Sequence, residues 1–289
     1  MGRVYEARPF FEARGYGEQE MSTLGTLQIE TTNHCNGKCV FCPVPTMQRE
    51  RGFMSMDLFR KIIDDAVEMQ PDMVLPFLNG EPFIDNDIFD RIAYVNEKLP
   101  NARVCLYSNG NLLNDEKARK LAALRVWAVN FSLNAVSNEA RRDLMGMDME
   151  TAYENIMRYR MLDPTVELAA SIILDPAYIT GYEAEEFKRF FTAKGINPRV
   201  FLPGNWAGKL RPSYNMRQVC CRPATHMTVL WDGRVPLCCF DVEGEVIMGD
   251  LNTEAIREVW GGERFTHFRT KNAKGERKDL ELCGDCTTI

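Results

Sequence analysis

The chain has no long apolar run, no cluster of lysines and arginines, and few histidines. Without about 18 consecutive apolar residues, no membrane-spanning helix is expected. The opening segment, MGRVYEARPFFEARGYGEQE, scatters charges where a signal peptide or anchor needs an apolar core. Lysine and arginine total 35 against 41 aspartate and glutamate, a net charge of -6 with no extended basic run, so a nucleic-acid partner is not expected. His34, His226 and His267 share no metal-binding spacing and read as structural or solvent-facing. The terminal CTTI lacks the aliphatic middle of a prenylation box. Internal repeats and low-complexity segments are also missing.

Cysteine is what the chain has in quantity. Ten cysteines without a secretion signal point to the reducing cytoplasm, where cysteine clusters more often bind metal than form disulfides. With 289 residues, 45% of them hydrophobic, the chain can bury the core of one barrel-sized domain with an appendage.

Short apolar, β-branched runs alternate with longer amphipathic ones, the pattern of a parallel sheet with crossover helices. Six strands are predicted at 24–30, 73–78, 103–107, 128–133, 166–173 and 199–202. Helices are predicted at 56–69, 86–99, 114–124, 151–161 and 183–194, with Ser55 and Asn114 as N-caps. Six β/α units are too few for a closed eight-stranded barrel, so the α/β fold reads as a partial (β/α)6 TIM barrel. The expected organisation is an N-terminal extension over 1–23, the barrel over 24–202, a linker over 203–219 and a small cysteine-containing domain over 220–289. In that last part, runs at 226–231 and 234–238 flank Asp232-Gly233 and predict a hairpin, with a helix at 253–260.

Directly after the first strand comes Thr-Thr-Asn-His-Cys35-Asn-Gly-Lys-Cys39-Val-Phe-Cys42-Pro. This C-x3-C-x2-C loop gathers three thiols at a strand's C-terminal end, where β/α folds build active sites. Three thiolates on a cubane leave one iron open to an external ligand. Spacing alone leaves open zinc, completed by His34 or a distant residue, and unrelated reduced thiols.

Further signals follow in order: Asn79-Gly80-Glu81-Pro82 after the second strand, Ser108-Asn109-Gly110 after the third, and Ser132-Leu133-Asn134-Ala135 at the end of the fourth. Together with the cysteine loop, this series resembles the radical S-adenosylmethionine (SAM) superfamily. The resemblance implies that Cys35, Cys39 and Cys42 hold a 4Fe–4S cluster. It also implies that Asn79, Gly80 and Glu81 hold the SAM amino group and that Ser108 and Asn109 lie near the ribose. Ser132 and Asn134 complete the cofactor mouth. The family's GGEP has Asn at its first position here, and Asn134 stands where the family usually has Asp.

The remaining cysteines are Cys220-Cys221, Cys238-Cys239 and Cys283-Gly-Asp-Cys286. By spacing, the four ligands of a second site are Cys220, Cys238, Cys283 and Cys286, with Cys221 and Cys239 as substitutes in another register; a zinc knuckle remains an alternative. The segment from Trp231 to Asp241, with Met248-Gly249-Asp250 and Ile256 to Trp260, resembles the C-terminal domain of SPASM and Twitch radical SAM proteins. That implies one auxiliary 4Fe–4S cluster. Cys105, Cys221 and Cys239 are then surplus; Cys105 reads as a buried apolar residue, and Cys239 is the candidate hydrogen donor.

The resemblance extends from about residue 24 to 289, and the layout is similar to aminocyclitol dehydrogenases and aminoglycoside epimerases. It implies an enzyme, an oxidoreductase or epimerase of antibiotic biosynthesis. Such an enzyme takes an electron from a flavodoxin- or ferredoxin-type donor, cleaves SAM to a 5'-deoxyadenosyl radical and abstracts hydrogen from a small polar metabolite. Two other readings are a peptide maturase, disfavoured by the 34 residues before Cys35 unless a separate protein binds the leader, and a zinc-stabilised module without catalysis.

Overall fold

The structure is a computed structural model that describes residues 24–210 and 220–287. The extension expected over 1–23 and the linker residues 211–219 lie outside the described residues.

The first strand, β1 (Thr26–Ile29), is buried at all four positions, as a central parallel strand covered on both faces should be. Helix α1 (Met56–Met69) then buries Phe59, Ile62, Ile63 and Ala66, one face at helical spacing. The alternation continues with β2 (Met73–Leu75), α2 (Ile88–Lys98), β3 (Arg103–Ser108), α3 (Asp115–Ala122) and β4 (Ala128–Ser132). Two helices, α4 (Asn138–Met145) and α5 (Met149–Leu162), precede β5 (Glu167–Ile173), and α6 (Gly181–Thr192) precedes β6 (Asn197–Phe201). Ser55 Oγ accepts from Leu58 N at 3.1 Å and Asn114 Oδ1 from Lys117 N at 3.0 Å, so both expected caps are made.

The C-terminal part contributes α7 (Arg222–Thr225), β7 (His226–Val229), β8 (Arg234–Pro236), β9 (Ile247–Asp250), α8 (Ile256–Gly261) and α9 (Glu263–Ala273). The main sheet has seven strands in the order β6-β5-β4-β3-β2-β1-β7, all pairings parallel. This is an open α/β partial barrel, with one strand more than the six expected.

The extra strand corrects the predicted hairpin. Asp232-Gly233 does turn the chain, with Gly233 at φ 92° and Leu230 N donating to Arg234 O at 2.8 Å. However, β7 pairs with β1 in parallel, and β8 pairs with β9 instead. Alternation marks a strand without naming its partner, and the open edge of β1 supplied one.

Alternation also sorts the faces. Leu27, Ile29, Val104, Leu106, Val129, Phe131, Ala170 and Ile172 join the apolar core, whereas Glu30, Tyr107, Asn130, Ser132, Ser171 and Arg199 occupy the opposite parity. On that second face Asn130 Nδ2 donates to Ser171 Oγ at 2.8 Å, and Phe77 stacks on Tyr107 with ring centroids 5.2 Å apart. Strand spacing has thereby gathered polar groups on the face opposite the apolar core.

Candidate active site and the C-terminal cysteine cavity

The cysteine loop leaves β1 between two supports. On one side residues 49–54 return antiparallel: Met54 N donates to Thr31 O, Thr32 Oγ1 to Gly52 O, and Gly52 N to Asn33 Oδ1, all within 2.9 Å. On the other, Lys38 N and Val40 N donate to Met145 O and Leu144 O, each at 2.9 Å, which also satisfies carbonyls left open at the end of α4. Cys35, Cys39 and Cys42 face a common space. A Cβ built on Gly37 would lie 3.5 Å from Cys39 Sγ and 3.7 Å from Cys35 Sγ. Burial pushes Cys39 up to about 12, aided by repulsion from Cys42 and Cys35, and pushes Cys42 up to about 11. Thiols so placed ionise at neutral pH only when a cation takes the thiolates, so the donor set fits a metal cluster.

Gly80, Glu81, Ser108 and Asn109 meet beside this loop. Glu81 N donates to His34 O at 2.9 Å; Ser108 Oγ and Asn109 N each donate to the Glu81 carboxylate at 2.8 Å. Asn109 Nδ2 reaches Asn36 Oδ1, next to Cys35, at 2.8 Å. The Asn79 side-chain amide donates to Glu30 at 2.9 Å, while its Oδ1 is buried without a partner. Asn134 sits in the left-handed region at φ 53°, a conformation that asparagine tolerates, and Ser132 O accepts from Arg141 at 3.5 Å.

Burial pushes Glu81 up to about 7 from its ordinary 4.5, against the hydrogen bonds from Asn109, Ser108 and Phe83 that pull it down. The folded chain thus keeps a proton that the unfolded chain releases, so stability falls as pH rises through this window, and the full penalty applies above it. We expect roughly 3 kcal/mol of this fall to vanish in Glu81→Gln. Urea titrations of both proteins between about pH 4.5 and 7 check it; parallel pH slopes would contradict it.

Arg141 was not singled out by the sequence. It is fully buried, its guanidinium donates to Leu133 O, Asn109 O and Asn111 Oδ1, and its Nε has no partner. It ties the ends of β3 and β4 together beside Cys39, whose thiol its charge pulls down against burial. An arginine on the helix after the fourth strand was the available signal.

In the C-terminal part, Cys220, Cys238, Cys283 and Cys286 line one cavity together with Arg222, Phe240 and Arg277. Cys221 and Cys239 do not line it. Cys221 is exposed, and Cys239 Sγ accepts from Arg222 Nη1 at 3.0 Å. Cys105 is buried within β3, away from both groups in the sequence of elements. Burial drives Cys283 up to about 12, with further repulsion from Cys220 and Cys286. Among the described residues no three His, Cys, Asp or Glu side chains converge closely enough for a single metal ion. His34 stacks on Phe53, and burial pushes His226 down to about 3.

The two cysteine groups are joined through Glu30. This buried carboxylate pairs with Arg49 through two 2.8 Å bonds and accepts from Asn79 and from Trp231 N. Arg49 Nε donates to Val242 O at 2.8 Å, and the Glu243 carboxylate takes Gln48 N and Arg49 N at 3.0 Å. Trp206, in the segment after β6, donates to Phe41 O at 3.1 Å and packs edge-on against Phe240. Trp206 is therefore a junction residue between the cysteine loop and the C-terminal part.

Comparison with known proteins agrees with this layout. The radical SAM superfamily pattern matches residues 29–173, and the SPASM pattern, an iron–sulfur cluster-binding domain, matches 220–287. The S-adenosyl-L-methionine-dependent 2-deoxy-scyllo-inosamine dehydrogenase of Niallia circulans is 21% identical over 91% of this chain and 92% of its own length. The mycofactocin maturase of Mycolicibacterium smegmatis is 26% identical over 89% of this chain and 59% of its own. The crystal structure of BtrN with AdoMet and 2-DOIA superposes with a TM-score of 0.67 at 19% identity, covering 92% and 94% of the two chains. Streptococcus suis SuiB bound to its precursor peptide SuiA gives 0.74 at 14% identity, covering 92% and 70%.

Proposed function

Since the chain belongs to the radical SAM superfamily, and is therefore an enzyme with a 4Fe–4S cluster and SAM as cofactors, we propose that it dehydrogenates a small polar metabolite of the aminocyclitol type. Cys35, Cys39 and Cys42 would hold the SAM-binding cluster, and Cys220, Cys238, Cys283 and Cys286 an auxiliary one. When bound, the first cluster supplies the electron that cleaves SAM to methionine and a 5'-deoxyadenosyl radical able to take a substrate hydrogen.

The chain's own residues hold and orient. Glu81, buried and fixed by Ser108 and Asn109, offers a carboxylate to the SAM ammonium, and an ammonium there favours its ionised form. Arg141 fixes the strand ends around it. The polar face of the sheet, with Tyr107, Asn130, Ser171 and Arg199, provides hydrogen-bonding groups of the kind a polyhydroxylated or amino substrate needs.

The observation that carries dehydrogenation is the four-thiol cavity. Cys220, Cys238, Cys283 and Cys286 line one cavity and would hold a cluster with no iron free for substrate, which would supply an acceptor for one electron from a substrate radical. Loss of a hydrogen atom, that electron and one proton leaves a carbonyl. The likeness to an inosamine dehydrogenase over nearly the whole of both chains supports the substrate class. Cys239, outside the cavity, favours epimerisation as a second reading, because a free thiol can return hydrogen to the opposite face.

The test is turnover with SAM, a reductant and C-deuterated aminocyclitols. We expect deuterium in 5'-deoxyadenosine and a product three mass units lighter than the deuterated substrate, one deuterium and one protium having left, retained in Cys239→Ala. A product one mass unit lighter, its deuterium replaced by a hydrogen from the thiol, that disappears in Cys239→Ala supports epimerisation instead. Activity on precursor peptides alone would overturn the small-molecule reading.

A further inference from the structure

The four-thiol cavity has an unusual electrostatic wall. Arg277 is 3% exposed, lines the cavity and donates Nη2 to Cys286 O, while its Nε has no partner. Arg222 also lines the cavity, half-buried, with its guanidinium 4.6 Å from the Phe240 ring centroid and Nη1 on Cys239 Sγ. Among the described residues neither arginine pairs with a carboxylate. Burying a guanidinium without a counter-charge is costly, and the thiol sulfurs that line the same cavity can supply that negative charge.

The charges balance. A 4Fe–4S core carrying two positive charges and held by four thiolates has a net charge of two minus, which two guanidinium groups neutralise. Reduction by one electron raises the negative charge further, and a fixed positive charge in a low-dielectric wall favours the more negative state. Building on the auxiliary-cluster reading above, we propose that Arg222 and Arg277 are the counter-charges of that cluster and hold its reduction potential high enough for it to accept an electron. Both are positioning residues acting through the cluster, and neither is a ligand.

The test is potentiometry on a Cys35, Cys39 and Cys42 triple alanine background, in which only the C-terminal cluster remains. Arg222→Gln is expected to lower the midpoint by at least a tenfold change in the reduced-to-oxidised ratio, about 59 mV for one electron. Arg222→Lys, which keeps the charge, should stay near the parent, and Arg277→Gln should fall in the same direction as Arg222→Gln. An unchanged potential in Arg222→Gln at full iron content overturns the proposal, as does an equal fall in Arg222→Lys, which makes shape rather than charge responsible. A parent triple variant without iron removes the auxiliary cluster itself. That outcome, read from iron analysis before any potential is measured, separates failure of the underlying reading from failure of this one.

Discussion

Gly80→Ala should cost at least about 100-fold in SAM affinity, roughly 2.7 kcal/mol, while leaving the barrel folded. A Cβ at this position would lie 2.3 Å from Thr32 O and 2.7 Å from His34 O, both backbone atoms in the segment leading into Cys35. Neither carbonyl can turn aside as a side chain could. His34 O also accepts from Glu81 N at 2.9 Å, so relief of the clash has to separate the Glu81 turn from the cysteine loop. The two halves of the proposed cofactor site are the parts that move. Equilibrium binding of SAM to reconstituted protein, with visible absorbance as the control for cluster content, checks the effect. Unchanged affinity would contradict this placement of the site.

Arg49→Met is expected to destabilise the protein by about 3–5 kcal/mol, because it leaves the Glu30 carboxylate buried without its charge partner. The loss extends beyond one ion pair, since Arg49 also holds Val242 O and its backbone holds Glu243. Replacing both members, as Glu30→Gln with Arg49→Met, should cost less than the sum of the single changes, because the stranded charge is then gone. Urea unfolding of the single and double variants measures the coupling. A loss below about 1 kcal/mol in Arg49→Met would mean that solvent reaches Glu30.

Much of the barrel was legible because its strands are short apolar runs and its helices carry one apolar stripe, as in α1. The cysteine loop was legible because three thiols at C-x3-C-x2-C spacing have few other uses. The partner of β7 was not legible, because pairing is decided by which edge lies open. The side-chain bond of Asn79 was not legible for a related reason: its amide is taken by Glu30, a residue 49 positions earlier. Glu30, Arg49, Arg141 and Arg277 look like ordinary charged residues in the sequence, and only burial distinguishes them from solvated ones. Arg222 did stand beside a cysteine pair, but adjacency could not say that it lines the same cavity as Cys283 and Cys286. Helices α4 and α9 escaped notice because polar residues outnumber their apolar contacts.

The central claim is that this chain carries two separate cubanes, one with an open iron and one fully held by cysteine. Iron and acid-labile sulfide per chain, measured after anaerobic reconstitution of the wild type and of the Cys35, Cys39 and Cys42 triple alanine variant, test it most directly. The account predicts about eight irons falling to about four. About four in the wild type and none in the variant would contradict it, leaving the C-terminal cavity without the electron acceptor that dehydrogenation requires.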